Sequence, residues 1–219
     1  MVQTMTSPVT EAEFSAVLVE ERTWRVREIS DLKSAVRGAD TGLRRVLLRS
    51  VVTICYAHWE GYVRVTGRRY MEYIARRKFH YSELDRQFYR NYFLPRLAAL
   101  SNSKASISDR CALLDEILDA SGKRYSRVND DLINTKANLN SDVLKDLCQI
   151  CGVPYASFSS QSDFIDKTLL KRRNAIAHGE DTLIGIEELD NITDGTISIM
   201  RAFGDALENH VILRTFKAA

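Results

Sequence analysis

Leu47-Leu48-Arg49-Ser50-Val51-Val52-Thr53-Ile54-Cys55-Tyr56-Ala57-His58-Trp59-Glu60-Gly61-Tyr62-Val63-Arg64-Val65 is the stretch on which the fold turns. Read at helical spacing it carries two adjoining apolar stripes. One runs through Leu47, Val51, Ile54, His58, Gly61 or Tyr62, and Val65, the other through Leu48, Val52, Cys55, Trp59 and Tyr62. Only Arg49, Thr53, Tyr56, Glu60 and Arg64 form a polar line, at intervals of three and four. A helix that is apolar around most of its circumference is buried on several sides. It is therefore the central helix of a bundle, or it also contributes to a subunit interface. Glu60 and Arg64 stand at i, i+4 in the favourable order and suit a surface ion pair.

Outward from this helix the same periodicity recurs. Phe14, Val17, Leu18, Trp24, Ile29, Leu32 and Val36 predict a first helix from about Glu11, stopped by Gly38, Asp40 and Gly42. The central helix begins near Leu43 and extends toward Lys78. Ser82 is a plausible cap for a helix through Phe88, Tyr92 and Leu97, whose later part is interrupted by Pro95. Residues 101–104 read as a loop. An apolar run from Ser108 or Asp109 ends at Gly122, and Asn140 caps a short helix ended by Gly152. Ser159, Ser160 or Ser162 opens the helix that carries Phe164, Ile165, Leu169 and Ile176. A final helix runs from about Ile186 to Ile212, with Leu189, Ile192, Ile197, Met200, Phe203, Leu207 and Val211 inward. No β alternation and no internal repeat interrupts this pattern. The fold class is all-α: a bundle of long antiparallel helices with shorter ones inserted. Residues 1–10 are expected to be a disordered lead-in and 11–219 a single helical domain. The polar stretch 122–140 is expected to be a long connection or insertion.

The totals fit this reading. A chain of 219 residues buries a sizeable core without disulfides or metals. Only 3 prolines and 10 glycines favour long uninterrupted elements. The 4 cysteines (Cys55, Cys111, Cys148, Cys151) accompany no secretory leader and no membrane-length apolar run, so free thiols in a reducing cytoplasm are expected. A net charge of +2 does not itself point to nucleic acid, but its distribution is uneven. Residues 64–78 carry Arg64, Arg68, Arg69, Arg76, Arg77 and Lys78 against one acid, Glu72. Such a run is a solvated helix face or a surface that meets a polyanion.

Most familiar chemistries have no foothold. There is no Gly-rich phosphate loop, no GxSxG elbow, no HExxH and no catalytic spacing of paired carboxylates. Cys148 and Cys151 have the spacing of half a zinc knuckle, but no second pair completes four ligands, and buried thiols explain them. His58 lies on an apolar stripe, where a core histidine is the default, and His80 and His210 lack companions. Lys171-Arg172-Arg173-Asn174-Ala175-Ile176-Ala177-His178-Gly179 differs in setting a permanent cation near a proton-transfer group. Five residues on a helix rotate about 140° and rise about 7.5 Å, so a long arginine must lean toward the histidine. Gly179 suits a left-handed helix end, whose carbonyls would favour an imidazolium. By spacing alone the pair is a weak signal, and a surface arginine with a histidine at a helix end explains it better.

Leu170 to Gly179 nevertheless resembles the signature of the HEPN superfamily, helical domains that share an Arg-x4-6-His motif with a polar residue after the arginine. Here those residues are Arg173, Asn174 and His178. Tyr56-Ala57-His58-Trp59-Glu60-Gly61-Tyr62 and Asn134-Thr135-Lys136-Ala137-Asn138-Leu139-Asn140-Ser141 look similar to segments of one prokaryotic, ribonuclease-like branch. The resemblance implies a metal-independent endoribonuclease with no cofactor, of the kind found in toxin–antitoxin and antiviral systems. It also implies a homodimer whose two motifs meet in a composite site. His178 would act as general base or acid, Arg173 would neutralise charge on the phosphate, and Asn174 would orient either. His58 and Glu60 are supporting candidates. Arg64, Arg68, Arg69, Lys171 and Arg172 are candidates for an RNA-contacting surface.

RNA brings its own 2′-hydroxyl nucleophile, so such a site need only move protons and stabilise the phosphate. One histidine does not readily serve both sides of that phosphate, whereas two related by a two-fold axis do. The alternatives are a module of this fold that holds RNA or a nucleotide without cutting it, and a protein-interaction domain. The first is marked by salt-dependent RNA binding without cleavage. The second is marked by a tight protein partner, neutralising or regulatory, and no RNA affinity.

Overall fold

A computed structural model describes residues 8–102, 105–119 and 122–218. Among these the secondary structure is helical, apart from two isolated β-bridges, and all-α as expected. Helix α1 (Glu11–Gly38) starts at a capping box: Thr10 Oγ1 accepts from the Glu13 N–H at 3.1 Å, and Glu13 accepts from the Thr10 N–H at 3.0 Å. Ala39 breaks the helix in an extended conformation. Asp40 then caps α2 (Thr41–Ala75) by accepting from the Leu43 N–H at 3.0 Å.

Three long helices make the core. Phe14 of α1 packs on Tyr70 and Tyr73 of α2, so the first two helices run antiparallel. Trp59 meets Phe203 and Tyr70 meets His210, so α2 and α7 (Leu189–Ile212) run parallel. Lys33 pairs with Asp190 and Asp194 at one end of the α1–α7 contact, and Arg22 with Asp205 further along. Helix α2 is thus the central helix, and most of its apolar circumference is buried within the chain, while Leu43 and Val46 at its start stay exposed and Ile54 and Val65 are half-buried. Trp59, Tyr62, Val63, Tyr70 and Met71 are completely buried. Tyr56, which the spacing places on a polar line, is 2% exposed.

Two glycines of α7 let neighbouring rings approach. A Cβ at Gly204 would lie 2.3 Å from the Tyr62 hydroxyl, and one at Gly195 would lie 2.6 Å from the Phe164 ring. Glycine costs a helix interior about 1 kcal/mol relative to alanine, which the close aromatic packing offsets.

The inserted elements depart from the expected boundaries in instructive ways. Asp85, not Ser82, caps α3 (Arg86–Asn102), accepting from the Gln87 N–H at 2.8 Å. The helix continues through Pro95 and takes in Ser101; residues 103–104 of the expected loop lie outside the described residues. Ser106 caps α4 (Ile107–Asp119), so that helix begins slightly earlier than its apolar run suggests. The stretch 122–140 is a long connection, yet Tyr125, Ile133, Thr135 and Leu139 are buried against the bundle. Asn140 caps α5 (Ser141–Cys151), accepting from the Val143 N–H at 2.8 Å, and Gly152 at φ +75° ends it. Cys148 and Cys151 are buried free thiols on its inner face, and burial pushes the Cys148 thiol up to about 12. Beyond it the chain passes through a 3-10 segment (Tyr155–Gln161) and a π-helical segment (Phe164–Lys171) into α6 (Arg172–Ala177).

Candidate active site

Helix α6 closes on itself just before the histidine. The His178 N–H donates to the Asn174 carbonyl at 2.9 Å, and Glu180 N–H to the Ala175 carbonyl at 2.9 Å. Gly179, at φ +81°, supplies the left-handed residue that this ending requires. His178 therefore stands on the last turn with its imidazole exposed. The loop that follows is held to α2 by two arginines. Arg49 Nη1 donates to the Glu180 carbonyl at 2.9 Å, while Arg45 pairs with Asp181 and holds that carboxyl below its ordinary range.

Arg173 packs against α2. Its guanidinium carbon lies 4.1 Å from the Tyr56 ring centroid, and Nη2 donates to the Ala137 carbonyl at 3.0 Å. Its Nε is buried without a hydrogen-bond partner. The Tyr56 hydroxyl accepts from the Leu139 N–H at 2.6 Å, and burial pushes this phenol up, with Arg173 partly offsetting the shift. Thr135 Oγ1 donates to Glu60 Oε1 at 2.5 Å. The three segments quoted above for their resemblance thus meet around one guanidinium: α6 supplies it, Tyr56 and Glu60 come from α2, and residues 135–139 clip the two together.

The clip is a tight turn of unusual composition. Asn138 N–H donates to the Thr135 carbonyl at 3.1 Å, and the two central residues, Lys136 and Ala137, have φ of +53° and +56°. Both central residues at positive φ define the type I′ turn, which glycine and asparagine favour. Lysine and alanine in these positions cost roughly 1–2 kcal/mol each. The Asn134 side chain accepts from the Lys136 N–H at 2.8 Å and Lys136 reaches Asp146 at 3.4 Å, which help to hold the turn. Its consequence is that the Ala137 carbonyl faces Arg173. A cleft of about 550 Å³ opens beside Lys136, between α3 and α5.

The remaining candidates divide. Glu60 joins the site through Thr135, and no ion pair between it and Arg64 occurs among the described residues. His58 does not join it: two positions from Tyr56, it faces α1, where it packs edge-on to Trp24 with ring centroids 5.1 Å apart. Its Nε2 lies 3.0 Å from Glu28 Oε2 but out of hydrogen-bonding alignment. Burial, with Arg25 nearby, holds its pKa below the ordinary value despite Glu28. Asn174 is half-buried on α6, and Lys171 is exposed. Arg172 pairs with Glu188 at 2.6 Å. Arg68 and Arg69 share Glu72, and Arg64 is exposed. The basic run is thus partly neutralised on its own helix. Among the described residues no group of three or more His, Cys, Asp or Glu is placed to hold a metal ion, and no helix is long and apolar enough to cross a membrane.

Arg45, Arg49, Thr135 and Ala137 belong to this arrangement without having been singled out from the sequence. Thr135 and Ala137 lie inside a segment marked by resemblance, but their roles depend on a carbonyl and a turn that side-chain identity does not disclose.

Comparison with protein families gives a match to the family described as RiboL-PSP-HEPN, over residues 20–209. That span contains α2, the 134–141 clip and α6. Comparisons with curated proteins and with solved structures give no match.

Proposed function

The chain belongs to the RiboL-PSP-HEPN family, and on that premise we propose that it is a metal-independent endoribonuclease acting from the α6 site. The observation that carries this reading is the division of labour on one short helix. Arg173 is fixed by a ring and a carbonyl, while His178 stands exposed at the helix end. A fixed cation costs little reorganisation as charge develops on a phosphate. An exposed imidazole is free to exchange protons with substrate.

In the proposed reaction His178 takes the proton of an RNA 2′-hydroxyl. The 2′-oxygen attacks the adjacent phosphorus, the P–O5′ bond breaks, and a proton is delivered to the departing O5′. The products are a 2′,3′-cyclic phosphate and a 5′-hydroxyl end. Base and acid stand on opposite sides of the phosphorus, so a second copy of the chain supplies the other His178 across a composite site. Arg173 meets the phosphate with the edge of its guanidinium left outside the Ala137 contact, and not as a fully open fork. Asn174 lies between them on the helix and orients the phosphate or His178. Exposed Arg64 and Lys171 guide the strand. A role in a toxin–antitoxin or antiviral system, with a neutralising protein partner and a cytoplasmic setting, completes the reading.

Product chemistry tests it. An RNA carrying a single 2′-deoxy nucleotide at the cut site should resist cleavage there, and unmodified RNA should yield the cyclic phosphate. Cleavage that leaves a 5′-phosphate would overturn the mechanism.

A second reading has its own support. With Nη2 on Ala137 and one face on Tyr56, Arg173 is already engaged within the chain. A module that holds RNA or a protein partner without catalysis would retain just such an internal contact. Salt-sensitive RNA binding with no cut product would favour this reading.

A further inference from the structure

Helix α4 (Ile107–Asp119) is attached by one side only. Leu113, with Ile117 beside it, packs on Phe93, Tyr89 and Leu100 of α3, a small cluster separate from the main core. A different side of α4 faces solvent with a continuous apolar row. Ile107 is 80% exposed, Leu114 60% and Leu118 80%, and Cys111 between them is also exposed. The intervals 107, 111, 114 and 118 are four, three and four, the seam of a coiled coil, with Cys111 and Leu118 at a and Ile107 and Leu114 at d. A solvated helix has no reason to place its largest apolar side chains at this spacing.

We propose that this seam binds the same helix of a second copy of the chain, the two α4 helices packed parallel about a two-fold axis. The charges beside the seam name the occupant. Arg110 falls at g and Asp115 at e; both are exposed, and neither has an ion pair among the described residues. In a parallel pair, g on one helix faces e five residues further along the other. Arg110 of one copy therefore meets Asp115 of the second, and the symmetry axis repeats the contact. Antiparallel packing would set g against g and e against e, separating these charges. The neighbouring carboxylates are already engaged within the chain. Asp109 accepts from Ser106, and Glu116 from Arg96, Lys123 and Tyr92. The seam thus carries one cation and one anion, placed to complement a copy of itself.

This surface is distinct from the Arg173 site. The composite site calls for a second copy of its own, so the α4 contact is read from how assembly responds to changes at Arg110, Asp115 and Leu118, and the composite site from RNA cleavage. The intact chain is followed by sedimentation velocity up to the highest attainable concentration. Wild type should show concentration-dependent self-association. Leu118→Glu, at a position too exposed to affect folding, should weaken it at least tenfold, about the effect of losing one buried leucine at the contact. Arg110→Asp should also weaken it, and the double reversal Arg110→Asp with Asp115→Arg should restore it, a rescue that a self-pairing helix permits. Because Cys55, Cys148 and Cys151 are buried, mild oxidation should link dimers through Cys111 alone, which a parallel pair brings face to face. A chain that stays monomeric, a dimer unaffected by Leu118→Glu, or a double reversal that fails to rescue would overturn the proposal.

Discussion

The guanidinium of Arg173 lies 4.1 Å from the centre of the Tyr56 ring, joining the last short helix before His178 to the central helix of the bundle. The contact is closed by the 135–139 clip, which binds both partners: Ala137 accepts from Arg173, and Leu139 donates to Tyr56. An arginine held this way has its direction fixed before any ligand arrives.

Tyr56 variants separate the ring from the hydroxyl. Tyr56→Phe keeps the cation–π contact but leaves the Leu139 N–H without its acceptor, a loss of about 1–3 kcal/mol of stability. Tyr56→Leu removes the ring as well and with it a further ~0.5–2 kcal/mol. RNA cleavage should survive Tyr56→Phe better than Tyr56→Leu. Urea unfolding and cleavage rates on the same preparations check both. Equal loss of cleavage in the two variants would count against a role for the stacked ring.

The strained turn offers a change in the opposite direction. Ala137 sits at φ +56°, so Ala137→Gly relieves backbone strain while keeping the carbonyl that Arg173 uses. Allowing for the greater freedom of glycine in the unfolded chain, the variant should gain about 0.5–1 kcal/mol. A shift of the urea midpoint upward, with cleavage retained, is the expected result.

Gly204→Ala should destabilise the chain despite alanine's better helix propensity. The new methyl would lie 2.3 Å from the Tyr62 hydroxyl, deep between α2 and α7. Overpacking of this kind costs about 1–3 kcal/mol, against a propensity gain of about 1 kcal/mol. A net loss in thermal or urea stability is expected, and a gain would mean that the ring moves freely.

Two histidines, His58 buried and His210 half-buried, set a pH dependence. Burial lowers the pKa of both His58 and His210 below the ordinary value of 6.5. Above that value both folded and unfolded chains hold these rings neutral, and the groups contribute no pH dependence. As pH falls below it, the unfolded chain takes up protons that the folded chain resists, so stability drops until the folded pKa values are passed. His58→Gln should flatten this acid-side slope in part, leaving the share due to His210. Unfolding free energies across that interval would show it, and an unchanged slope would contradict it.

How much of this was legible in the sequence varies with distance along the chain. The Leu47–Val65 periodicity placed α2 at the centre, because burial on several sides leaves a direct mark on residue type. Local caps such as Asn140 and the Gly179 ending were equally readable, being set by a few adjacent residues. Spacing puts Tyr56 on a polar line although it is buried, since a phenol reads as amphipathic until its hydroxyl's partner is known. That partner is the backbone of Leu139, 83 positions away. The 122–140 stretch looked like surface because its buried residues Tyr125, Ile133 and Leu139 have no common period. His58 and Glu60 are both supporting candidates by sequence, yet two positions on a helix point them to different neighbours, α1 and the clip.

The most direct test of the central claim is cleavage of labelled RNA by the purified chain in excess EDTA. The proposal predicts cutting by wild type, with Arg173→Ala and His178→Ala each reduced at least a hundredfold, the usual scale for losing a positioned charge or proton-transfer group. Cutting by both variants at the wild-type rate, or cutting that EDTA abolishes, would contradict it.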